Sequence, residues 1–372
     1  MNYFIKNIHV NKLFHLNDFD IPIADEKFPH LIITGKNGSG KTVLLNAVSD
    51  FLNIIKEDKT VNDSSEKVDV QSNLLGSIIE KYNKGEFVIA FYQADRRVKM
   101  SEPKNPTKPV YNKKGNVKDT ATSQFLNFLS DLKIQEALAR NEKQTKDADD
   151  INAWFEDFEG LLKQIFQDNS LQLEFYYKDY SFRICTEGKR FKFTEVSDGF
   201  AAVLDIVADL ILKMQDDNSL TRAYQKEGIV LIDEIETHLH LALQKVIMPL
   251  LTKVFPNIQF IITTHSPFVL SSMPDAMAYD LEHREILSDL TEYSYESLAE
   301  GYFGVKTESS YAEMQLGIFK KLLEKDEWSD AEKVEIKKLK SDFEKMAEVF
   351  SPLIVGEFQQ IMIQKAEKLN SL

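Results

Sequence analysis

The strongest signal in the chain is the segment Gly35-Lys36-Asn37-Gly38-Ser39-Gly40-Lys41-Thr42. The apolar run Leu31-Ile32-Ile33 precedes it and a helix-like run, 43–48, follows it, so the sequence predicts a strand, a loop and a helix in succession. The spacing is G-x-x-x-x-G-K-[ST], in which the glycines allow successive backbone N–H groups to turn inward around phosphate oxygens. The N-terminus of the following helix adds a favourable dipole. A chance glycine-rich turn is the minor alternative, and the segment predicts that the chain binds a nucleoside triphosphate.

The side chains of this loop indicate how the triphosphate is held. Lys41 is placed to reach the β- and γ-phosphates, and the Thr42 hydroxyl is placed to ligate Mg²⁺. The remaining predicted contacts come from the other residues of the loop: Gly35, Asn37, Gly38, Ser39 and Gly40. The predicted ligands are therefore ATP and Mg²⁺.

Composition limits the classes of protein to which the chain can belong. Its 372 residues suffice for one large core with appendages, and 59 acidic against 45 basic side chains give a net charge of −14. That charge disfavours a general binder of the nucleic-acid backbone, although a local basic groove is compatible with it. With Cys185 as the single cysteine, no internal disulfide or zinc site is expected. The N-terminus lacks a signal-peptide core and no apolar run has the length of a bilayer, so we expect a cytoplasmic protein without a membrane partner.

The sequence predicts a head domain with two additions. Residues 1–97 and 170–280 carry strand and helix patterns typical of an α/β domain, interrupted by a polar stretch at 56–71 in which 62–65 is the expected loop. Residues 98–169 begin as a loop rich in proline and lysine and continue as two helical patterns. Residues 281–372 become charged and helical. The predicted domains are therefore a discontinuous head, an insertion and a C-terminal extension.

A second chemical signal lies at the end of the apolar run Ile229-Val230-Leu231-Ile232, which is followed by Asp233 and Glu234. Parallel α/β sheets place ligand-binding groups at the C-terminal ends of their strands. Asp233 is predicted to hold Mg²⁺, and Glu234 is predicted to polarise the attacking water. An exposed acidic turn after a buried strand is the alternative, and it loses weight downstream of a complete phosphate loop.

Three weaker signals fit the same site. Gln93 follows the apolar run 87–92 and is predicted to reach Mg²⁺ and the attacking water. His265 follows the next predicted strand and is expected to donate a hydrogen bond to the γ-phosphate. Ser197 and Gly199 begin a helix, and a serine N-cap followed by glycine makes an anion-binding terminus. Each residue also has an ordinary structural interpretation, such as a packed histidine or a plain helix cap.

Taken together, the glycine-rich loop, the glutamine, the Ser-x-Gly helix start, the Asp-Glu pair and the histidine resemble the ATP-binding cassette (ABC) ATPase head. The similarity is to its soluble branch, which includes the structural-maintenance-of-chromosomes, RecF-like and OLD-type ATPases. It implies an α/β fold of the P-loop NTPase, ABC-ATPase head type, with a mixed sheet, a helical insertion and a helical C-terminal extension. By the resemblance, residues 35–42 are Walker A, Gln93 is the Q-loop, residues 197–200 are the signature, Asp233 is Walker B, Glu234 is the catalytic glutamate and His265 is the switch histidine.

Within that branch, Tyr92-Gln93-Ala94-Asp95-Arg96 and the segment 233–240 most resemble the "AAA family" ATPases of bacterial anti-phage defence, such as the Septu and PARIS ATPases. The resemblance implies ATP hydrolysis, a role in antiviral defence and a separate effector protein, either a nuclease or a toxin. It also implies a head-to-tail homodimer or higher oligomer, in which the signature of one subunit completes the Walker A site of its partner.

Two departures and two other functions accompany this interpretation. The family signature usually reads Leu-Ser-Gly-Gly-Gln, whereas this chain has Val196-Ser197-Asp198-Gly199-Phe200. For the aromatic residue that stacks on adenine, Phe14 and His15 both qualify. A DNA-binding repair or chromosome ATPase is the main alternative function, with the basic loop 96–118 as a nucleic-acid contact and Arg96 as its first candidate; a solvated loop is the ordinary interpretation. The ATPase subunit of a transporter is the remaining alternative, disfavoured because no membrane-coupling feature is recognisable.

Overall fold

The computed structural model divides the chain into two compact units, residues 1–295 and 296–372. None of the helices among the described residues combines the length and the apolar character needed to span a membrane. The described residues are 4–23, 30–56, 66–72, 75–96, 100–103, 115–215, 224–287, 290–301, 310–325, 327–345 and 352–369.

The first unit contains twelve strands and most of the longer helices among the described residues. The strands are β1 (Ile5–Leu13), β2 (Leu16–Pro22), β3 (His30–Thr34), β4 (Val68–Ser72), β5 (Phe87–Tyr92), β6 (Gln172–Tyr176), β7 (Ser181–Thr186), β8 (Lys189–Lys192), β9 (Glu227–Ile232), β10 (Ile258–Thr263), β11 (Ala276–Asp280) and β12 (Glu285–Leu287). The helices are α1 (Lys41–Lys56), α2 (Leu75–Lys84), α3 (Phe125–Asn141), α4 (Thr145–Phe166), α5 (Asp198–Met214), α6 (Leu241–Val254) and α7 (Pro267–Leu270), and α8 (Tyr295–Gly301) begins at the boundary of the unit.

A mixed six-stranded sheet forms the centre of the first unit, in the order β12-β11-β3-β10-β9-β5. The strands β11, β3, β10, β9 and β5 run parallel, and β12 pairs antiparallel to β11. Every residue of β3, β5 and β10 is buried, as expected for parallel strands that are covered on both faces. This arrangement brings the C-terminal ends of β3, β9, β10 and β5 to one edge of the sheet. The predicted mixed α/β fold is therefore confirmed.

Two smaller antiparallel sheets flank the central one, in the orders β2-β1-β4 and β6-β7-β8. Helices α3 and α4 form the helical insertion, and their apolar faces meet in an aromatic cluster. Phe128 lies edge-to-face on Trp154, with ring centroids 5.6 Å apart, and Trp154 stacks on Phe158 at 5.4 Å. These residues are part of the helical periodicity from which the two helices of the insertion were predicted.

Two features of the first unit differ from the sequence prediction. The end of the polar stretch at 56–71 forms β4, which pairs with β1 from Val10–Val68 to Ile5–Ser72. The predicted loop at 62–65 lies outside the described residues. The compact unit also extends to residue 295, beyond the predicted end of the head at 280, because β12 pairs with β11 in the central sheet.

The second unit is helical in its described residues, as the charged and periodic sequence predicts. It contains α9 (Ser310–Glu324), α10 (Asp330–Lys345), α11 (Pro352–Gln364) and α12 (Ala366–Leu369). Phe319, Phe343 and Phe358 form the centre of its core, with ring centroids 5.1 to 6.5 Å apart.

Candidate nucleotide-binding site

The predicted phosphate loop connects β3 to α1, and its glycines adopt conformations that other residues rarely adopt. Gly35, Gly38 and Gly40 have φ angles of 136°, 84° and 102°. A Cβ on Gly35 would lie 2.9 Å from the Ser39 hydroxyl oxygen, and a Cβ on Gly40 would lie 2.8 Å from a Leu16 methyl carbon. The loop can therefore wind this tightly only with glycine at these positions.

The Lys41 ammonium lies inside the loop. It donates hydrogen bonds to the carbonyl oxygens of Gly35 at 2.8 Å and Lys36 at 3.0 Å. Burial lowers the pKa of Lys41, and the carboxylates of Glu234, Glu236 and Asp233 oppose that shift. The first turn of α1 thus brings a buried cation to the edge of the sheet where these carboxylates lie.

An oxygen-rich cluster suited to Mg²⁺ connects the loop to the neighbouring strands. Thr42 Oγ1 donates to Asp233 Oδ1 at 3.2 Å, and Thr263 Oγ1 donates to the same carboxylate oxygen at 2.6 Å. Asp233 is 2% exposed, so its carboxylate is fixed by these bonds rather than by solvent. A hydroxyl and a carboxylate in contact are the hard oxygen ligands that Mg²⁺ prefers, and this pair fits the predicted ion.

Glu234 begins the turn that follows β9, and its backbone lies in the left-handed region with φ 43°. Its N–H donates to Thr263 Oγ1 at 2.8 Å, and Thr237 Oγ1 donates to its carboxylate at 3.3 Å. A cavity of about 320 Å³ lies beside Glu234. Its lining includes Asn37, Gly38, Gly40, Lys41, Thr42, Glu234 and His265. The structure therefore brings the glutamate, the histidine and the phosphate loop together around one space.

His265 is half-buried and is held through its backbone. Its N–H donates to the carboxylate of Glu236, which also accepts a hydrogen bond from Thr264 Oγ1 at 2.8 Å. Burial lowers the pKa of His265, with a further contribution from Lys41, so the neutral imidazole is favoured. Burial raises the pKa of Glu236. A neutral ring on a fixed backbone is compatible with the predicted γ-phosphate contact, which stays a prediction.

Gln93 lies at the end of β5, and its side chain is exposed. In the part of the chain that the structure describes, it is not among the residues that line the cavity at the phosphate loop. Its predicted contact with Mg²⁺ and water stays a prediction.

Ser197 and Gly199 lie at the start of α5, outside the cavity lining described above. Ser197 is exposed, and within the described residues its hydroxyl makes no capping hydrogen bond to its own helix. It lines a different cavity, together with Phe200 and Lys189. Gly199 is buried, and a Cβ there would lie 2.9 Å from the His238 carbonyl oxygen. The glycine therefore has a packing role, whereas the serine hydroxyl faces outward.

Both candidates for the adenine contact line the cavity at the phosphate loop. Phe14 lies at the tip of the β1–β2 hairpin with φ 56° and is 81% exposed. His15 Nε2 lies 3.1 Å from the Ser39 carbonyl oxygen, so this ring also contacts the loop. The adenine contact stays a prediction for either residue.

The structure does not place Arg96 at the surface, where a nucleic-acid contact of the basic loop would need it. Arg96 is 8% exposed, and its guanidinium binds backbone carbonyl oxygens of the turn after β9. At the other end of the predicted basic loop, Lys118 lies 3.6 Å from the Asp50 carboxylate. Residues 97–99 and 104–114 lie outside the described residues.

Sequence reasoning missed three polar residues that organise the site. Thr263 bridges Asp233 and Glu234, Glu236 holds His265, and Arg96 binds the turn that carries Glu234. The available signal was weak: Thr263 is the last residue of a buried strand, Glu236 lies two positions after the Asp-Glu pair, and Arg96 lies four positions after β5.

A glycine loop of this conformation between a buried parallel strand and a helix, facing carboxylates at the neighbouring strand ends, defines a P-loop nucleotide-binding protein. Residues 131–271 match the family model described as "AAA domain, putative AbiEii toxin, Type IV TA system". The chain is 39% identical over 95 residues to the "Septu protein PtuA" of Bacillus mycoides, covering 25% of this chain and 13% of that protein. It is 47% identical over 77 residues to the "Retron Ec83 probable ATPase" of Escherichia coli, covering 20% of this chain and 14% of that protein.

A further match is the "Retron Vc95 probable ATPase" of Vibrio cholerae, 38% identical over 91 residues, covering 24% of this chain and 18% of that protein. The chain thus spans less than a fifth of the length of these three relatives. The predicted kinship with Septu proteins and with ATPases is confirmed. Among solved structures, the SMC head bound to the C-winged helix domain of ScpA is 12% identical with a TM-score of 0.42, covering 78% of this chain and 100% of that chain.

Proposed function

We propose that this chain binds ATP with Mg²⁺ and hydrolyses it, working as a head-to-tail dimer that controls a separate effector, a nuclease or toxin, in anti-phage defence. One observation carries the hydrolytic part. Thr42, Asp233, Thr263 and Glu234 form one hydrogen-bonded group at the phosphate loop, with the Glu234 side chain lining the same cavity as Lys41 and His265. This arrangement supports a metal-binding role for Thr42 and Asp233 and the role of general base for Glu234.

In this mechanism the loop holds the triphosphate through its backbone N–H groups and the Lys41 ammonium. Thr42 and Asp233 would hold Mg²⁺, which when bound neutralises charge on the β- and γ-phosphates. Glu234 orients a water and accepts its proton as the water oxygen attacks the γ-phosphorus. The bond between that phosphorus and the β–γ bridging oxygen breaks, which gives ADP and phosphate. The neutral His265 ring donates a hydrogen bond to a γ-phosphate oxygen.

The dimer supplies what one chain leaves incomplete. Ser197 is exposed and lines a cavity other than the one at its own phosphate loop. In a two-fold symmetric pair, the same surface of each subunit completes the site of the other. A γ-phosphate held between the loop of one subunit and Ser197 of its partner would keep the pair closed, and hydrolysis would release it.

The relatives support the proposed control of an effector. A Septu protein and two retron ATPases match the chain over segments of 77 to 95 residues. We infer that the ATP-dependent opening and closing of the dimer holds or releases a separate nuclease or toxin, and so serves phage defence.

The test uses Glu234→Gln, which keeps the shape of the side chain and removes the base. With Mg-ATP, this variant should form a stable dimer by light scattering while hydrolysis falls about 100-fold or more, as expected when a general base is removed. Lys41→Ala is the matched control. It lacks the ammonium that holds the triphosphate, so it should stay monomeric under the same conditions. If Glu234→Gln also stays monomeric with saturating Mg-ATP, the head-to-tail model is wrong.

A further inference from the structure

Arg96 is a buried cation that the proposed mechanism leaves without a role. It follows β5 closely along the chain and is 8% exposed. Burial lowers its pKa, and the carboxylates of Asp205, Glu236 and Asp233 oppose that shift. Buried arginines need compensating partners, so the atoms that its guanidinium binds indicate what it is for.

Those partners are consecutive backbone carbonyls of the turn that carries Glu234. Nη1 donates to the Asp233 oxygen at 2.9 Å, and Nη2 donates to the Glu234 oxygen at 3.1 Å and the Ile235 oxygen at 3.2 Å. Nη1 also donates to the Gln93 carbonyl oxygen at 3.3 Å. One planar group therefore ties the end of β5 to three successive peptide units after β9.

The turn that Arg96 holds is one that needs support. Glu234 is not glycine, yet its φ angle is 43°, in the left-handed region. Such residues keep this conformation only where surrounding bonds enforce it, and they cluster at functional sites. On the other side of the turn, Thr263 Oγ1 accepts from the Glu234 N–H at 2.8 Å. Arg96 and Thr263 thus fix the carbonyl and the amide of the same residue.

We infer that Arg96 is a positioning residue for hydrolysis: it holds the backbone of Glu234 so that the Glu234 carboxylate faces the attacking water. This inference rests on the proposed ATPase function. It requires the planar fork of a guanidinium, since a lysine ammonium is a single point charge that cannot span three carbonyl oxygens. Arg96 and Asp205 line a cavity of about 550 Å³, which gives a small guanidinium compound a way to the same position.

The experiment compares Arg96→Ala and Arg96→Lys with the wild type and with Arg140→Ala, a surface arginine on α3 whose side chain is 49% exposed. We expect kcat to fall about 100-fold in both Arg96 variants, because small misplacements of catalytic groups have effects of that size. The Kd for Mg-ATP, measured by titration, should stay within about threefold of wild type, because uniform binding is not altered. Arg140→Ala should match the wild type in both. Adding methylguanidine should restore kcat of Arg96→Ala about tenfold and leave Glu234→Gln unchanged.

Five outcomes would overturn the inference. The first is a kcat of Arg96→Ala within about threefold of wild type, and the second is a Kd for Mg-ATP that rises as much as kcat falls. The third is full activity in Arg96→Lys, and the fourth is unfolding of both variants at the assay temperature, which would make the role structural. The fifth is failure of methylguanidine to rescue Arg96→Ala. If the wild type itself binds ATP without hydrolysing it, the proposed ATPase function fails instead, so the two failures can be told apart.

Discussion

The phosphate loop and the start of α5 at Ser197 differ in how many of their polar side chains have hydrogen-bond partners within one chain. At the phosphate loop, Lys41, Asp233 and Glu234 are already engaged in hydrogen bonds and line or adjoin one cavity. At the start of α5, Ser197 is exposed and, within the described residues, makes no capping bond to its own helix. This difference supports the proposal that one chain can bind the nucleotide alone and that the surface of a second chain completes the site at Ser197.

The largest effect on nucleotide affinity is expected from a substitution in the phosphate loop, residues 35–42. Lys41→Ala removes a buried cation from the loop, so we expect the Kd for Mg-ATP to rise about 100-fold or more, in the range seen when one member of a buried charge pair is truncated. Lys36→Ala is the matched control in the same loop, because Lys36 is exposed and pairs with Glu282 at 3.0 Å. Its Kd should stay within about threefold of wild type, as for other surface ion pairs. If both variants lose the same affinity for Mg-ATP in a titration, the buried ammonium of Lys41 does not determine the affinity.

The role of Ser197 can be tested by complementation between two variants. Ser197→Arg should bind ATP like the wild type, because Ser197 lies outside the cavity of its own loop, but it should hydrolyse little. Mixing it in equal amounts with Lys41→Ala should recover up to about half of the wild-type rate, since each mixed dimer has one intact composite site out of two.

The control for that mixture is Ser197→Arg combined with the double variant Lys41→Ala/Ser197→Arg, which has no intact composite site. No recovery is expected there. Steady-state phosphate release measures all of these rates. A Ser197→Arg protein with full activity on its own would contradict the division of the site between two chains.

The parts of the candidate site that can be predicted from the sequence are local ones. A phosphate loop and an Asp-Glu pair after an apolar run are recognisable because their function depends on neighbours within a few residues. Thr263 could not be assigned in this way. It bridges Asp233 and Glu234 only because β10 pairs with β9 in the register Ile262–Ile232, which places a distant hydroxyl beside the pair. Register of this kind is set by the whole sheet and not by either strand.

Arg96 shows a related limit. Its neighbours in the sequence form a basic, proline-containing stretch, and the local pattern predicts a solvated loop. The side chain turns inward because the buried carbonyl oxygens after β9 need a hydrogen-bond donor. Those carbonyls are far from Arg96 in the sequence, so the local pattern does not reveal the contact. In the same way, the short polar segment of β4 is not recognisable as a strand from its own sequence, because its backbone partner is the distant strand β1.

A smaller effect is expected from protonation at the strand that leads into the phosphate loop. His30, the first residue of β3, is buried, and its Nδ1 accepts from the Phe260 N–H at 3.1 Å. Burial lowers its pKa from 6.5 to about 4, with an opposing contribution from Asp275. Between those values the unfolded chain binds more protons than the folded one, so stability falls as pH drops through this window, by up to about 3 kcal/mol.

Urea unfolding at pH 7.5 and pH 4.5 measures this loss. His30→Asn keeps an acceptor for Phe260 and cannot titrate, so its stability should change less between the two pH values than that of the wild type. Ser197→Ala lies in the exposed region and should respond to pH as the wild type does. If His30→Asn and the wild type lose the same stability, other groups account for the acid sensitivity.

The smallest effect is expected from a substitution at Phe14. Its ring is exposed, as Ser197 is. Phe14→Ala should raise the Kd for ATP about fivefold, since stacking of a base on an aromatic ring contributes about 1 kcal/mol or more. Tripolyphosphate, which has no base, should bind Phe14→Ala and the wild type equally. His15→Ala should weaken both ligands, because His15 lies 3.1 Å from the Ser39 carbonyl oxygen and supports the loop itself. Loss of tripolyphosphate binding in Phe14→Ala would assign Phe14 to the loop and leave the adenine contact to another residue.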